Sequence, residues 1–429
     1  MRDLKIKTHM IRQAVSYFFI FFLISLTGFE FFFRSTDLIY LLTIISFIAF
    51  LISGKRVNRN ALLIIMAAAL ISFLQNVFLG AAINGMFSIF LRLLTYYFIA
   101  VIVEREFIDM YINIILFLCV MSLVIYIGIN AFDGFHKYLL DLSRNVTPIN
   151  FDGASLQHWT FPNQSIYLYS VPITKIARNS GPFWEPGMFA VFLNLALILK
   201  VCRDKSILDW RGVVILAASI TTMSVSSAIA SFAIVFFFFF FIKRSILKAI
   251  IVFVILLVSM PLLNSEYLKG KIVSNLERID EGSSRFGAAL VHLKQIKRSP
   301  LIGYGSIAKT DQRETFGVTG VTPNGLTGVV RRFGIPFSVL YFLLLFRFGV
   351  WAADSTGNPR NFGYMVLFVL LIVAFSQDVT VRHFYLFLLF IPVISKDLIM
   401  NIKQDQEIYI YQESGQQALV GMGDRKKEL

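Results

Sequence analysis

'RNSGPFWEPGMFAVFLNLALILKVC', residues 178–202, joins a polar motif directly to an apolar run, and the reading of that junction decides the fold. Pro186 holds Glu185 out of the helical region and is itself tolerated in a first helical turn, so a helix starts here with the carboxylate at or just before its N-terminus. That end of a helix favours negative charge. The run over 187–202 suits a bilayer interior, which puts Arg178, Trp184 and Glu185 at the mouth of a membrane helix. Two readings stand: a plain helix start with Trp184 as an interfacial belt residue, or one edge of an active site.

The rest of the chain repeats the pattern. Its 429 residues are 57% hydrophobic and only 15% charged, and its apolar stretches approach the roughly 20 residues that a helix needs to cross a bilayer. An all-α polytopic membrane protein is expected. Spans are placed at about 13–29, 37–53, 61–80, 84–103, 107–131, 187–202, 209–223, 225–242, 246–263, 325–346, 362–378 and 381–397, twelve in all. Helices one to five thus occupy 1–131, a first long loop 132–186, helices six to nine 187–263, a second long loop 264–324, and helices ten to twelve 325–397. The first span follows Arg2, Lys5, Lys7 and Arg12 like a signal peptide, but no small-x-small cleavage pattern follows, so an uncleaved helix is expected. The uncharged 'TTMSVSS' junction leaves 209–242 readable as two spans or one. The Phe236–Phe241 run reads as lipid-facing bulk, and the polar tail, 398–429, as disordered. Cys119 and Cys202 lie far apart in or beside apolar segments and imply neither a disulfide nor a metal site.

The net charge of +14 has to be sorted by side of the membrane before it says anything about partners. With the N-terminus in the cytoplasm, the inner side collects Arg2, Lys5, Lys7, Arg12, Lys55, Arg56, Arg59, Arg105, Lys200, Arg203, Lys205, Arg211, Lys243, Arg244, Lys248, Arg347, Arg360, Lys396, Lys403, Arg425, Lys426 and Lys427. Only Arg34 and Arg382 fall in the short outer loops. The positive-inside rule is met, both termini are expected in the cytoplasm, and both long loops outside. The second long loop carries nine Lys or Arg against six Asp or Glu, a surplus that suits a solvated surface or an anionic ligand and gives no reason to invoke nucleic acid.

Within that loop, 'SSRFGAALVHLKQIKRSPLIGYG' (283–305) has apolar residues at helical spacing and is closed by Pro300, Gly303 and Gly305. Arg285 and His292, seven apart, project from one face of this amphipathic helix about 10 Å apart, facing either the bundle or a ligand. Arg92 sits mid-span in 'NGMFSIFLRLLTYYFIAVIVE', where a charge is costly and implies a cavity or a buried ion pair. Arg331 and Arg332, near the start of the tenth span, either snorkel to headgroups or bind a ligand. Arg382 and His383 follow Gln377 and Asp378 in what reads as a plain turn. The chain has no P-loop, dinucleotide fingerprint or His-Glu-x-x-His, and neither long loop has an Asp-x-Asp pair to hold a divalent ion on a diphosphate. No cofactor or metal is expected. If a diphosphate is handled outside, arginines must supply the positive charge.

'RNSGPFWEPG' resembles the Arg…Gly-x-Phe-x-Glu-Pro-Gly element of Wzy-type O-antigen and capsular polysaccharide polymerases. 'SRFGAALVHLKQIKRSPLIGYG' is similar to the Ser-Arg…Pro-Leu-hydrophobic-Gly-x-Gly element that those polymerases share with O-antigen ligases, and 'TTMSVSS' stands where the family often has a Ser/Thr-rich junction. The specific motifs cover about 35 residues, the similar topology about 10–397. The ligases carry a histidine shortly after the Gly-x-Gly; here the comparable stretch is 'VTPNGLTGVV', with Asn324. That difference favours a polymerase, and neither His292 nor His383 inherits the histidine's role by position.

The resemblance implies a GT-C-like membrane glycosyltransferase on the outer face of a bacterial inner membrane. It would join undecaprenyl-diphosphate-linked repeat units into O-antigen, capsule or exopolysaccharide, without metal and with inversion, alongside membrane lipids and a chain-length regulator. Arg178, Glu185 and Arg285 are the catalytic candidates it singles out. Glu185 would serve as base or acceptor-orienting group, its carboxyl raised by desolvation or lowered by Arg178 and the helix terminus. Arg92, Trp184, His292, Asn324, Arg331, Arg332, Arg382 and His383 are the candidates for substrate or diphosphate contact. An O-antigen ligase and a lipid-linked oligosaccharide flippase are the alternatives, and the absence of an internal repeat weighs against the flippase.

Overall fold

The computed structural model describes residues 2–32, 37–81, 83–146, 163–166, 168–172, 178–242, 285–305 and 324–395, with 245, 247 and 250. The chain there is almost wholly helical: α1 (Arg2–Gly28), α2 (Asp37–Ser53), α3 (Arg59–Leu79), α4 (Ile83–Val103), α5 (Phe107–Ala131), α6 (Asp133–Val146), α7 (Pro186–Asp204), α8 (Trp210–Thr221), α9 (Val225–Phe237), α10 (Arg285–Arg298), α11 (Gly325–Ser355), α12 (Phe362–Ser376) and α13 (His383–Leu388). An antiparallel hairpin, β1 (Asn163–Ile166) and β2 (Tyr169–Pro172), lies between α6 and α7. Six of the helices are long and apolar enough to cross a membrane, and five more apolar segments are shorter. This is a helical, membrane-embedded protein. Apart from Leu247 and Ile250 the span expected at 246–263 lies outside the described residues, as does the tail.

Helix α7, the apolar run after the motif, is the central post. Every side chain from Pro186 to Cys202 is buried, and α5, α8, α9 and α12 pack around it. The two segments flanking 'TTMSVSS' are separate short helices. At 1.5 Å per residue, twelve-residue α8 is much shorter than a bilayer core. Buried hydroxyls tie the pair to α7: Ser219 meets Ser227 (2.7 Å) and Ser231 (2.9 Å), and Ser231 donates to Asn194 (2.8 Å). One expectation is overturned in part. Phe238 and Phe239, at 3% and 6% exposure, belong to the core, whereas Phe240 of the same run is exposed; the helix widens into a π turn over Phe238–Ile242, which shifts the direction of successive side chains.

The motif before α7 is held as extended chain between two neighbours. Phe29, just past α1, bridges to Phe183; Glu30 N–H donates to Pro182 O (3.1 Å) and Trp184 N–H to Gly28 O (3.2 Å). On the other side Ser170 N–H of β2 donates to Gly181 O (2.7 Å). Backbone polar groups that apolar surroundings would otherwise orphan are thereby paired, and Glu185 enters α7 at a fixed place. Amphipathic α6 covers the hairpin through His136 Nε2 and Pro172 O (2.8 Å).

Helix α11 is broken. Gly334 has φ 78° and ψ 172°, and Pro336 restarts the helix two residues later. The break leaves the carbonyls of Arg331 and Arg332 without partners in their own helix. The 'PLIGYG' segment lies against them: Tyr304 N–H donates to Arg331 O (2.7 Å), Gly305 N–H to Arg332 O (3.0 Å) and Ile335 N–H to Pro300 O (2.7 Å). Gln75, from α3, adds its amide to Arg332 O (2.7 Å). A side chain at Gly303 would stand 2.7 Å from Arg331 O, so the glycine is what lets the two backbones pair. Irregular backbone within a bundle is tolerated where such partners are supplied.

Candidate functional site

The motif end of α7, the broken half of α11 and the start of α10 converge on Ser376, which ends α12, and on Gln377 and Asp378 just past it. Arg285 donates through Nε to Ser376 O (2.8 Å). The Gln377 amide lies where Gly187 lacks a Cβ, with Glu185 Oε1 close by. Asp378 O accepts from Arg382 Nε (3.0 Å). Gly328, in the first half of α11, opens a gap into which a Cβ would stand 3.4 Å from Asp378 Oδ1 and 3.8 Å from His292 Cε1.

Around Asp378 the guanidinium groups gather. Its carboxylate acts electrostatically on Arg331, Arg332 and Arg382; Arg332 is also within reach of Arg92, and Arg382 of Glu185. Arg382 lies over the Trp184 ring, its Cζ 4.7 Å from the centroid, a placement stabilised by the negative ring face. Arg92, about nine residues below the start of α4, extends the cluster roughly 13 Å inward. Among the described residues four arginines thus face two carboxylates in a largely buried setting. The Nε atoms of Arg92 and Arg331 are buried and have no hydrogen-bond partner among the described residues. Like charges at this density repel one another, and orphaned donors are costly. An anion with several acceptor oxygens would relieve both.

The remaining candidates have visible local roles. Arg178 donates to the carbonyls of Thr222 (3.1 Å) and Met223 (3.3 Å), and Asn179 N–H to Thr221 O (2.9 Å). Both bind the motif to the end of α8, where a cation also suits the helix terminus. Arg285 holds the end of α12 in the same way. Asn324 caps α11, accepting from Thr327 N–H (3.1 Å), and donates to Arg285 O (3.2 Å), which ties the two helix starts together. His292 is buried with Nδ1 on Thr327 Oγ1 (2.7 Å); burial first, then Arg331, push its pKa down to about 3, so it is neutral near pH 7. Glu185 is the residue before the first turn of α7 and makes no side-chain cap, which leaves its carboxylate to face Gln377 and Arg382.

The structure brings Glu185, Trp184, Arg92, Arg331, Arg332, Arg382 and His383 into one neighbourhood, with Arg285, His292 and Asn324 on its rim and Arg178 anchoring the motif behind it. Three participants carried no role in the sequence reading. Asp378 was visible beside Arg382 but read as part of a turn. Tyr96 is one helical turn from Arg92, so its sharing of that face follows from spacing. Gln75 is the one glutamine of a mostly apolar helix, a polarity that a bilayer penalises without a partner. No protein-family model, curated protein or solved structure matches the chain.

Proposed function

We propose that the protein is a membrane glycosyltransferase that polymerises oligosaccharide repeat units carried on undecaprenyl diphosphate. The observation that carries the reading is the buried surplus of guanidinium at the motif end, with two Nε donors that have no acceptor among the described residues. A diphosphate offers the charge and the many oxygens that such a set would accept. In this reading twelve spans in a GT-C-like arrangement place the cluster on the outer face of a bacterial inner membrane, with both termini in the cytoplasm. The partners are a donor and an acceptor glycan, both on carrier lipid, the surrounding lipids, and a chain-length regulator.

The chemistry then runs without a metal. An acceptor hydroxyl attacks the anomeric carbon of the donor glycan from the face opposite the diphosphate, with inversion. The new glycosidic bond forms as the bond from that carbon to the diphosphate oxygen breaks. The hydroxyl proton passes to the Glu185 carboxylate, and the charge that develops on the leaving diphosphate is met by Arg92, Arg331, Arg332 and Arg382.

Glycan from a strain lacking the gene, complemented at matched expression, tests this. Polymer is expected with the wild-type chain and single repeat units with Glu185→Gln. Long polymer stranded on carrier lipid in the deletion strain would point to a ligase, and repeat units trapped on the cytoplasmic face to a flippase. Arg92, deep in the bundle, is the observation that favours a transporter.

A further inference from the structure

Beside the arginines lies a hydrogen-bonded pair: the Tyr96 hydroxyl and His383 Nδ1, 2.5 Å apart, with rings edge to face at 89°. The charged groups electrostatically coupled to this pair are Arg92 and Arg332 at Tyr96, and Arg92 and Arg382 at His383. All three are donors only. Tyr96 is fully buried, so its hydroxyl proton needs an acceptor, and His383 Nδ1 is the one present among the described residues. Tyr96 therefore donates, Nδ1 carries the lone pair, and the ring proton of the neutral imidazole sits on Nε2. Nε2 has no hydrogen-bond partner among the described residues, and His383 is a partly exposed residue.

We propose that His383 is an anion-binding residue of the arginine pocket: its Nε2–H donates to an oxygen of the bound diphosphate, and Tyr96 is the positioning residue that fixes this tautomer. The inference rests on the diphosphate reading above. A neutral N–H donor adds a directed bond without adding a fifth like charge, and a partner on the other ring nitrogen fixes which nitrogen carries the proton.

Two measurements on the full chain in detergent test it. The first is titration calorimetry with inorganic pyrophosphate. Binding to wild type should weaken about tenfold in His383→Leu, in line with loss of one hydrogen bond to a charged group. His383→Gln, which keeps an N–H, should recover most of that. The second is the 15N shifts of His383 in labelled wild-type protein, which report the tautomer whether or not a variant folds: a protonated Nε2 is expected, and a mixture of tautomers in Tyr96→Phe. Pyrophosphate binding by wild type with His383→Leu unchanged, or a proton found on Nδ1, overturns this inference alone. No pyrophosphate binding by wild type overturns the diphosphate reading and this inference with it.

Discussion

The two ends of the helix bundle treat charge in opposite ways. At the end where α7 finishes, cations meet carboxylates directly. Lys200, with its side chain fully buried, pairs with Asp209 and Asp204 and donates to Ser206 O (2.6 Å). Arg203 pairs with Asp109 and Asp204, and Lys55 reaches Glu104 (3.5 Å). At the end where α7 begins, Arg92, Arg331, Arg332 and Arg382 collect around Asp378 and Glu185, in excess among the described residues, and the Nε donors of Arg92 and Arg331 find no acceptor there. A paired buried ion is a fold element, since removing one partner strands the other. A surplus of one sign costs stability, and its persistence implies a use.

That contrast can be broken by exchanging the roles. The largest effect is expected from Arg331→Gln: polymer formation should fall about 100-fold, the usual scale for deleting one donor to developing charge, while the thermal midpoint stays level or rises as repulsion is relieved. A marked loss of midpoint would place Arg331 with the paired ions. Lys200→Met should do the reverse, lowering stability by roughly 2 kcal/mol with polymer length retained; that lies below the usual value for a buried pair because the Asp209 side chain is 35% exposed and partly solvated. Denaturant titration in detergent checks it. Gln75→Ala removes a donor to both Ile302 O (2.5 Å) and Arg332 O (2.7 Å). About 1 kcal/mol should be lost, with faster hydrogen exchange confined to 300–305 and the start of α11.

The smallest effect is a pH dependence. The pKa of His292 is held below its ordinary value of 6.5, so the folded state binds fewer protons there than the unfolded one. The stability it contributes is fully present above about pH 6.5 and is lost as the pH falls from there toward 3, at about 1 kcal/mol per unit. Melting curves at pH 7 and 5.5 should diverge less in His292→Gln than in wild type. Equal divergence would show that another group sets the acid response.

Much of the fold was legible because bilayer physics writes it in long apolar runs: Pro186 announced α7, and the short α8 and α9 were foreshadowed by 'TTMSVSS'. The site was legible by residue type and less so by role. Arg92 was marked by the cost of charge in an apolar span, and Arg331, Arg332 and Arg382 by their place at span ends. Which arginines gather around Asp378 was not readable, because what draws Arg178 and Arg285 elsewhere is the carbonyls of Thr222 and Ser376. Those carbonyls come from chain 44 and 91 residues away. The break at Gly334 was also hidden: glycine and proline two apart occur in many continuous spans, and only the apposed 'PLIGYG' backbone makes the unwound turn stable.

The central claim, that the arginine-rich end of the bundle is the diphosphate-handling site, is tested most directly by glycan length in the deletion strain carrying either the Arg331→Gln, Arg332→Gln double variant or Lys200→Met, at matched membrane levels. Single repeat units with the double variant and polymer with Lys200→Met are predicted. Wild-type polymer from the double variant would contradict the claim.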